Sequence, residues 1–147
     1  MTTDGGYLDE VQCLRLMAGM AVGRVVYTRH ALPAVLPVRF RLDSDGSVLV
    51  SVDARSELVG AVTGAVVAFE TGQVDASDGS GWSVTVLGLA DVTPAPATTL
   101  AASPAGRSAV ASAAGEVQLR IRPQLVSGRR LEGRPSAAPG RAPDAAR

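Results

Sequence analysis

The 147-residue sequence predicts a mainly β protein, a small closed or half-closed antiparallel barrel with little helix. About seven apolar or β-branched segments are separated by short turn signals, which is typical of such barrels. One helical pattern precedes these segments and a second, shorter one interrupts them. A chain of this length is expected to form one domain with a sizeable core.

The first element is a helix over residues 10–20. Asp9 is the expected N-cap, and Gln12 completes a capping box three residues later. Cys13 falls within the apolar pattern of this helix, which favours a buried structural thiol. Residues 1–7 are expected to form a flexible N-terminus.

The strands follow the first helix. Pro33 and Pro37 indicate that part of the second strand lies at a sheet edge or carries a bulge, because neither residue can donate to a ladder. A two-turn helix over 56–63 separates the third strand from the fourth. The fourth is a nearly continuous apolar run, expected to be buried on both faces up to Glu70. The predicted strands cover 23–28, 34–43, 47–53, 65–70, 82–92, 116–123 and 124–133.

The barrel domain is expected to span residues 8–132. Within it, residues 94–115 are low in complexity and are predicted to form a flexible excursion, with a short helix around 97–102. Residues 133–147 contain too little apolar surface to order themselves, and a disordered tail is predicted.

Composition excludes several functions. There is no Lys in the chain, so a Schiff-base lysine for pyridoxal phosphate is absent. One Cys and one His cannot form a zinc site of Cys and His ligands or an internal disulfide, and no metal site is predicted. His30 lies alone in a turn, so hydrolase chemistry is not indicated. Neither a signal peptide nor a membrane-spanning stretch is evident, and a cytoplasmic location is expected.

The charge distribution is uneven. Residues 116–147 hold seven Arg against three acids, whereas residues 1–115 hold seven Arg against eleven acids. The basic end could contact an acidic partner or keep a tail in solution. A nucleic-acid binder would also need aromatic stacking residues, and only five aromatic residues are present. No nucleic-acid partner and no membrane contact are therefore predicted.

The ordered segments "LDEVQCLRL", "GRVVYT", "LPAVLPVRFRLDSDG", "SVLVSVDARSELVGAV", "GAVVAFE", "SGWSVTVLGLADV" and "IRPQLVSGRRL" resemble the pyridoxamine 5'-phosphate oxidase-like family of FMN-binding split barrels. The resemblance covers residues 8–132. It implies a six- to seven-stranded antiparallel split β-barrel that forms a homodimer. It also implies that FMN, or in some branches a deazaflavin, binds at the subunit interface, and that the activity is an oxidase or reductase reaction.

The sequence departs from the family where the flavin phosphate is held. Residues 48–58 read VLVSVDARSEL, whereas relatives read V-V-F-R-T-A-P-G-T-K-L. Ser51 and Glu57 thus replace the family's Arg and Lys, and Asp53 adds a negative charge. Either Arg55 clamps the phosphate, together with Ser56 and the amides of the helix start, or Ser56 only caps the helix, Arg55 pairs with Glu57 or Asp53, and no ligand binds.

The resemblance and these substitutions give a set of predicted flavin-binding residues. Trp82, at the start of a long strand, can stack on the flavin ring or on a ligand, but a structural role that closes the barrel mouth or fills a dimer interface is favoured. Ser83 is a candidate hydrogen-bond donor to the cofactor. No catalytic residue is assigned. The predicted cofactor-binding residues are Pro37, Val38, Arg39, Ser51, Val52, Arg55, Ser56, Trp82 and Ser83.

Two adjacent arginines, Arg129 and Arg130, lie on the last predicted strand. Neighbouring strand residues face opposite ways, so at most one of them can approach an anionic substrate or a phosphate held by a partner subunit. Alternatively, their charge protects an exposed edge strand from unwanted pairing.

The sequence therefore predicts a homodimeric FMN-binding oxidoreductase that acts on an unidentified small molecule, with a deazaflavin as the alternative cofactor. Oxidation of pyridoxamine phosphate itself is not expected, because the chain is short and lacks the basic residues that would hold a second phosphate. The alternative function is a non-catalytic ligand-binding or interaction module that has lost its flavin and holds no cofactor.

Overall fold

The computed structural model describes residues 6–95 and 115–134. The predicted excursion over 94–115 and the predicted tail over 133–147 lie almost entirely outside these residues, as does the predicted helix around 97–102. The elements in chain order are β1 Tyr7–Leu8, α1 Glu10–Ala18, β2 Val22–Arg29, β3 Leu32–Leu42, β4 Val48–Asp53, α2 Glu57–Val62, β5 Val66–Val74, β6 Gly81–Pro94 and β7 Glu116–Leu131.

Six strands close into an antiparallel barrel in the order β7-β4-β3-β2-β5-β6, and the β6–β7 ladder seals it. The short β1 adds to the outer edge of β7, where Tyr7 pairs with Arg129. This arrangement confirms the predicted six- to seven-stranded barrel. Tyr7 is nevertheless part of a strand, although residues up to 7 were expected to be flexible.

β7 is one strand of 16 residues, whereas the sequence predicted two strands that meet between residues 123 and 124. Leu87 pairs with Leu125 and Gly88 pairs with Pro123, so Gln124 has no partner in the ladder. The apparent break is therefore a β-bulge. Gly88 allows the close approach at this point, because a Cβ on it would overlap the Arg122 carbonyl oxygen.

The barrel is split between β3 and β4. β3 pairs with β2 from Leu32 to Arg39, but its ladder with β4 contains only the three pairs from Phe40↔Val50 to Leu42↔Val48. Pro33 and Pro37 lie in the part of β3 that has no β4 partner. The predicted edge character of this segment is confirmed, because a proline there leaves no ladder hydrogen bond unmade.

The core lies inside the barrel and receives alternate residues from every long strand. Phe69 is fully buried, and its ring packs edge-on against the ring of Phe40 with 4.6 Å between the ring centres. The two helices contribute Cys13 and Met17 from α1, and Leu58 and Val62 from α2, all nearly or fully buried. Cys13 is the buried thiol that the sequence predicted. The fully buried strand residues include Val25, Val48, Val50, Val84, Val86, Leu119 and Ile121.

The prediction that β5 is buried on both faces is wrong. Val67 and Phe69 point into the core, but Val66 is 62 % exposed. In a closed barrel only one face of a strand can reach the interior, so the apolar residues of the other face lie on the outer surface.

Helix α1 begins as predicted and ends two residues earlier than expected. The Asp9 carboxylate accepts the Gln12 amide at 2.8 Å, and the Gln12 side chain accepts the Asp9 amide at 3.0 Å, which completes the capping box. Gly19 forms the C-cap. In the described part of the chain, neither helix is long and apolar enough to cross a lipid bilayer.

Candidate functional site

The first candidate region is the turn from β4 into α2, which we call the α2 corner. Its helix start is already capped by the chain itself. The Asp53 carboxylate accepts the Arg55 amide at 2.8 Å, the Asp53 carbonyl accepts the Ser56 amide at 2.9 Å, and the Ser56 hydroxyl accepts the Leu58 amide at 3.3 Å. These three amides therefore point to the protein's own oxygens. The α2 corner comprises Ser51, Asp53, Arg55, Ser56 and Glu57.

The Glu57 carboxylate of the α2 corner is also paired within the chain. Both oxygens of the Glu57 carboxylate contact the guanidinium of Arg29, from the end of β2, and the Nη2–Oε1 distance is 2.7 Å. The partner of Glu57 is thus Arg29 and not Arg55. Within the described residues Arg55 makes no ion pair through its guanidinium, and only its backbone amide meets Asp53.

These residues do not fit a flavin phosphate in the way the family pattern would hold one. The position of the family's Arg is an exposed serine, Ser51, and the position of its Lys is a carboxylate already paired in the chain. A second carboxylate, that of Asp53, accepts the hydrogen bond from the Arg55 amide. A nearby like charge repels a dianion by about 1 kcal/mol or more at partly shielded distances. Of the two alternatives left open by the sequence, the capped helix describes this corner better.

The predicted residues of β3 divide between the two faces of the strand. Pro37 and Arg39 are exposed on the outer face, whereas the side chain of Val38 is buried in the core and leaves only its backbone for a ligand. The β3–β4 ladder ends at Phe40↔Val50. Arg39 and Ser51 therefore flank the point at which the two strands separate. Val52 is half-buried against the core.

Trp82 and Ser83 are adjacent in sequence, but their side chains face opposite ways. Trp82 packs against the core at the end of the barrel and borders a cleft of about 600 Å³ that is also lined by Arg130. Ser83 faces outward and its hydroxyl donates to the Glu70 carboxylate at 3.2 Å. The other oxygen of Glu70 accepts from Arg24 Nε at 3.0 Å. This outer-face network joins β2, β5 and β6.

The structure does not bring all predicted flavin-binding residues together in one chain. Pro37, Arg39 and the α2 corner lie on one side, and Trp82 and Ser83 on the other, with β2 and β5 between β3 and β6. Adjacent strands are about 4.8 Å apart, so the path along the curved sheet from β3 to β6 is roughly 14 Å. One protomer alone therefore presents two half-sites.

Across the strands that connect the two half-sites runs a feature that the sequence did not reveal, which we call the apolar stripe. Its five members are cross-strand neighbours on the outer faces of β3, β2, β5, β6 and β7, and three of them are 38–58 % exposed. Parity along each strand carried a signal, but the register between strands cannot be read from one sequence. The stripe consists of Val35, Val26, Ala68, Leu87 and Leu125.

A polar row runs beside the apolar stripe, two residues further along each strand. It carries the Arg24–Glu70 ion pair at its centre, on β2 and β5. The outer surface thus changes from apolar to polar across one strand pleat. The row consists of Pro37, Arg24, Glu70, Thr85 and Ser127.

The two adjacent arginines of β7 face opposite ways, as the sequence predicted. Arg129 lies outward opposite Ser83, with its guanidinium 5.5 Å from the centre of the Tyr7 ring. Arg130 pairs with Trp82 and lines the cleft at the barrel end. The suggestion that these charges protect an exposed edge is wrong, because this part of β7 is paired with β1 on one side and β6 on the other.

His30 is exposed to solvent in the two-residue turn between β2 and β3. His30 and Ala31 both have positive φ, 49° and 64°. No group of three His, Cys, Asp or Glu side chains that could hold a metal occurs in residues 6–95 and 115–134.

The closed antiparallel barrel, its split between β3 and β4 and its short helix after β4 define a split-barrel protein of the flavin-binding type. The chain belongs to this family, because residues 9–130 match the family described as pyridoxamine 5'-phosphate oxidase. The family that the sequence resembled is thereby confirmed.

Individual proteins are similar to this chain in sequence or in fold. The uncharacterized protein Rv0080 of Mycobacterium tuberculosis is 45 % identical over 91 residues, a stretch that spans 56 % of this chain and 57 % of that protein. The FAD binding protein from Mycobacterium smegmatis is 26 % identical, with a TM-score of 0.66 over 86 % of this chain and 97 % of its own. An FAD-binding protein from Mesorhizobium loti, 16 % identical, shares the fold with a TM-score of 0.63 over 84 % and 94 % of the two chains.

Proposed function

We propose that this protein is a cytoplasmic, homodimeric flavin-binding protein that transfers electrons to or from a small organic molecule. Membership of the family and the likeness to an FAD binding protein from M. smegmatis support a flavin ligand. The observation that carries the proposal is the pair of half-sites on β3 and β6, together with the apolar stripe that runs across the strands joining them. A second copy seated on the stripe would place a half-site of each protomer near the partner's.

The apolar stripe supports the homodimer. Val35 and Leu125, at its ends, are 58 % and 57 % exposed, and an apolar strip across five strands is unusual for a surface that faces only water. Most soluble oligomers are two-fold symmetric, and such interfaces place the same patch of both copies in contact. The flanking Arg24–Glu70 pair gives the patch a charge of each sign, which suits contact with an inverted copy.

The proposed cofactor is FMN, with a deazaflavin as the alternative, and the FAD binding protein from M. smegmatis adds FAD to the flavins to be tested. A bound flavin supplies the electron-carrying ring, and the protein's part is to position it and exclude water. Pro37 and Arg39 on one side and Trp82 and Ser83 on the other are the residues proposed to do so. The α2 corner is proposed to contribute Arg55, but not a phosphate seat of the family kind.

A second candidate function is a non-catalytic module of the same fold that has lost its flavin. The specific observation in its favour is the α2 corner, where Glu57 is paired with Arg29 and Asp53 caps the turn. Such a protein would keep the barrel and the dimer but bind no flavin.

An absorbance spectrum of the purified protein separates these two functions. The spectrum is repeated after FMN, FAD or a deazaflavin has been added and the excess removed by gel filtration. We expect one of the three to be retained at about one molecule per chain. A folded protein that retains none of them would overturn the flavin proposal and favour the non-catalytic module.

Sedimentation equilibrium tests the homodimer separately. Leu87→Asp places a charge in the apolar stripe and should raise the dimer dissociation constant at least about 100-fold, as truncation of a central interface residue does. Leu32→Asp is the matched control, because Leu32 is 68 % exposed but lies outside the stripe. Equal effects of the two variants, or a monomeric wild type, would reject the stripe as the dimer surface.

A further inference from the structure

A small groove lies on the outer face of the β6–β7 ladder, on the polar side of the apolar stripe. We call it the Arg129 groove. Ser83 is paired with Arg129, and Thr85 with Ser127, so three hydroxyl groups and one guanidinium lie side by side. The groove has a volume of about 280 Å³ and is lined by Ser83, Thr85, Ser127, Gly128, Arg129 and Leu131.

The guanidinium of Arg129 is positioned but not neutralised. It sits 5.5 Å from the centre of the Tyr7 ring, which is within cation–π range, and in the described part of the chain it makes no ion pair. The nearest carboxylate across the ladder, Glu70, is already bound by Arg24 and by the Ser83 hydroxyl. The charges on Arg24 and Glu70 cancel, so Arg129 leaves the groove with a net positive charge.

The hydroxyl groups add directional partners to this charge. Thr85 and Ser127 stand directly opposite each other on the ladder, and each hydroxyl can donate one hydrogen bond. An arginine flanked by hydroxyl donors is the arrangement that binds planar or tetrahedral oxyanions, because charge-assisted bonds to phosphate or carboxylate are the strongest of the common hydrogen bonds.

We propose that the Arg129 groove is an oxyanion site that takes the phosphate group of a phosphorylated small molecule. The groove is complete in one chain and does not depend on a flavin. If the ligand is the flavin proposed above, this inference deepens that function and rests on it: the flavin phosphate would then lie at Arg129 and not at the α2 corner.

The first experiment titrates ¹⁵N-labelled protein with inorganic phosphate, with sodium chloride of matched ionic strength as the reference. We expect saturable shifts of the Ser127, Gly128 and Arg129 amides with phosphate only. Arg129→Gln should weaken the phosphate affinity about tenfold, the usual cost of one charge-assisted contact. Arg122→Gln is the matched control, since Arg122 is an exposed arginine on the same strand outside the groove. Equal shifts with chloride, or equal loss in both variants, would overturn the proposal.

The second experiment compares FMN with riboflavin, which lacks the phosphate. A preference of wild type for FMN that falls about tenfold in Arg129→Gln would place the flavin phosphate in the groove. Phosphate binding without flavin binding would reject the proposed flavin function and leave the groove standing. An FMN preference that Arg129→Gln leaves unchanged would reject the groove as the seat of the flavin phosphate and leave the flavin function standing.

Discussion

The α2 corner and the Arg129 groove each place an exposed arginine beside hydroxyl groups, but they differ in what surrounds the arginine. At the corner, the Asp53 and Glu57 carboxylates flank Arg55, and the chain's own oxygens already accept the local amides. In the groove, the Glu70 carboxylate is neutralised by Arg24, and Arg129 keeps its charge available. The lesson is that the position of a motif does not identify an anion site. The balance of charges around the donors decides.

The largest expected effect comes from reversing the charges of the corner. The double substitution Ser51→Arg and Glu57→Lys restores the family's two basic residues and should strengthen FMN binding about 100-fold, because each charge-assisted contact contributes roughly 1.5–3 kcal/mol. Flavin fluorescence quenching provides the affinity. Ser51→Arg with Glu57→Gln is the control and should give a smaller gain. No gain from the double substitution would show that the flavin phosphate does not lie at the α2 corner.

The next effect concerns the floor of the groove. A Cβ on Gly128 would lie 2.6 Å from Cys13 Sγ and 3.1 Å from Leu8 Cδ1, so the backbone there is packed tightly against α1 and β1. Gly128→Ala should lower the free energy of unfolding by about 1–3 kcal/mol, as overpacking of a core does. Urea unfolding measures it. A stability within error of wild type would mean that the atoms around Gly128 can shift to accept the added methyl group.

The equivalent substitution in helix α2, which follows the α2 corner, should have the opposite sign. Gly60 lies within α2, is exposed, and a Cβ there would meet no atom within 4 Å. Gly60→Ala should raise the free energy of unfolding by about 0.5–1 kcal/mol, because glycine costs that much in a helix. The same urea series reports it, and a loss of stability would contradict the open surroundings of Gly60.

The smallest effect comes from an ion pair that lies outside the α2 corner and the Arg129 groove, between β7 and the turn after β3. Arg120 Nη2 bonds Asp43 at 2.7 Å, which lowers the pKa of the Asp43 carboxyl. The resulting stabilisation is present above the ordinary carboxyl pKa of about 3.9 and is lost as the pH falls below it. Asp43→Asn should melt about one or two degrees below wild type at neutral pH. Differential scanning calorimetry should find that this gap closes in acid. A gap that persists there would contradict the ion pair as its cause.

The sequence predicted the barrel well because turn residues and β-branched segments are local signals. Asp9 and Gln12 located the start of α1, and Pro33 and Pro37 indicated that part of β3 lacks a partner. The bulge at Gln124 was mistaken for a strand end, because a skipped residue in a ladder depends on the partner strand β6.

The candidate site was less predictable, since it depends on cross-strand register. The departures at Ser51 and Glu57 were visible in the sequence, but the partner of Glu57, Arg29, comes from a strand 28 residues earlier. The apolar stripe was hidden for the same reason. Val66 and Ala68 read as buried because nothing local distinguishes the inner face of an apolar strand from its outer face.

The rate at which the Cys13 thiol is alkylated reports the local opening of the protein around α1. This thiol is fully buried beneath Gly128, and burial, with the Asp9 and Glu10 carboxylates, raises the pKa of the thiol. Alkylation at neutral pH therefore has to wait until α1 lifts from β7, and the labelling rate measures the equilibrium of that opening. Because the chain contains one cysteine, a single mass shift reports every such event. An anion bound on the opposite face of the same stretch of β7 would slow the alkylation of Cys13 without contacting its sulfur.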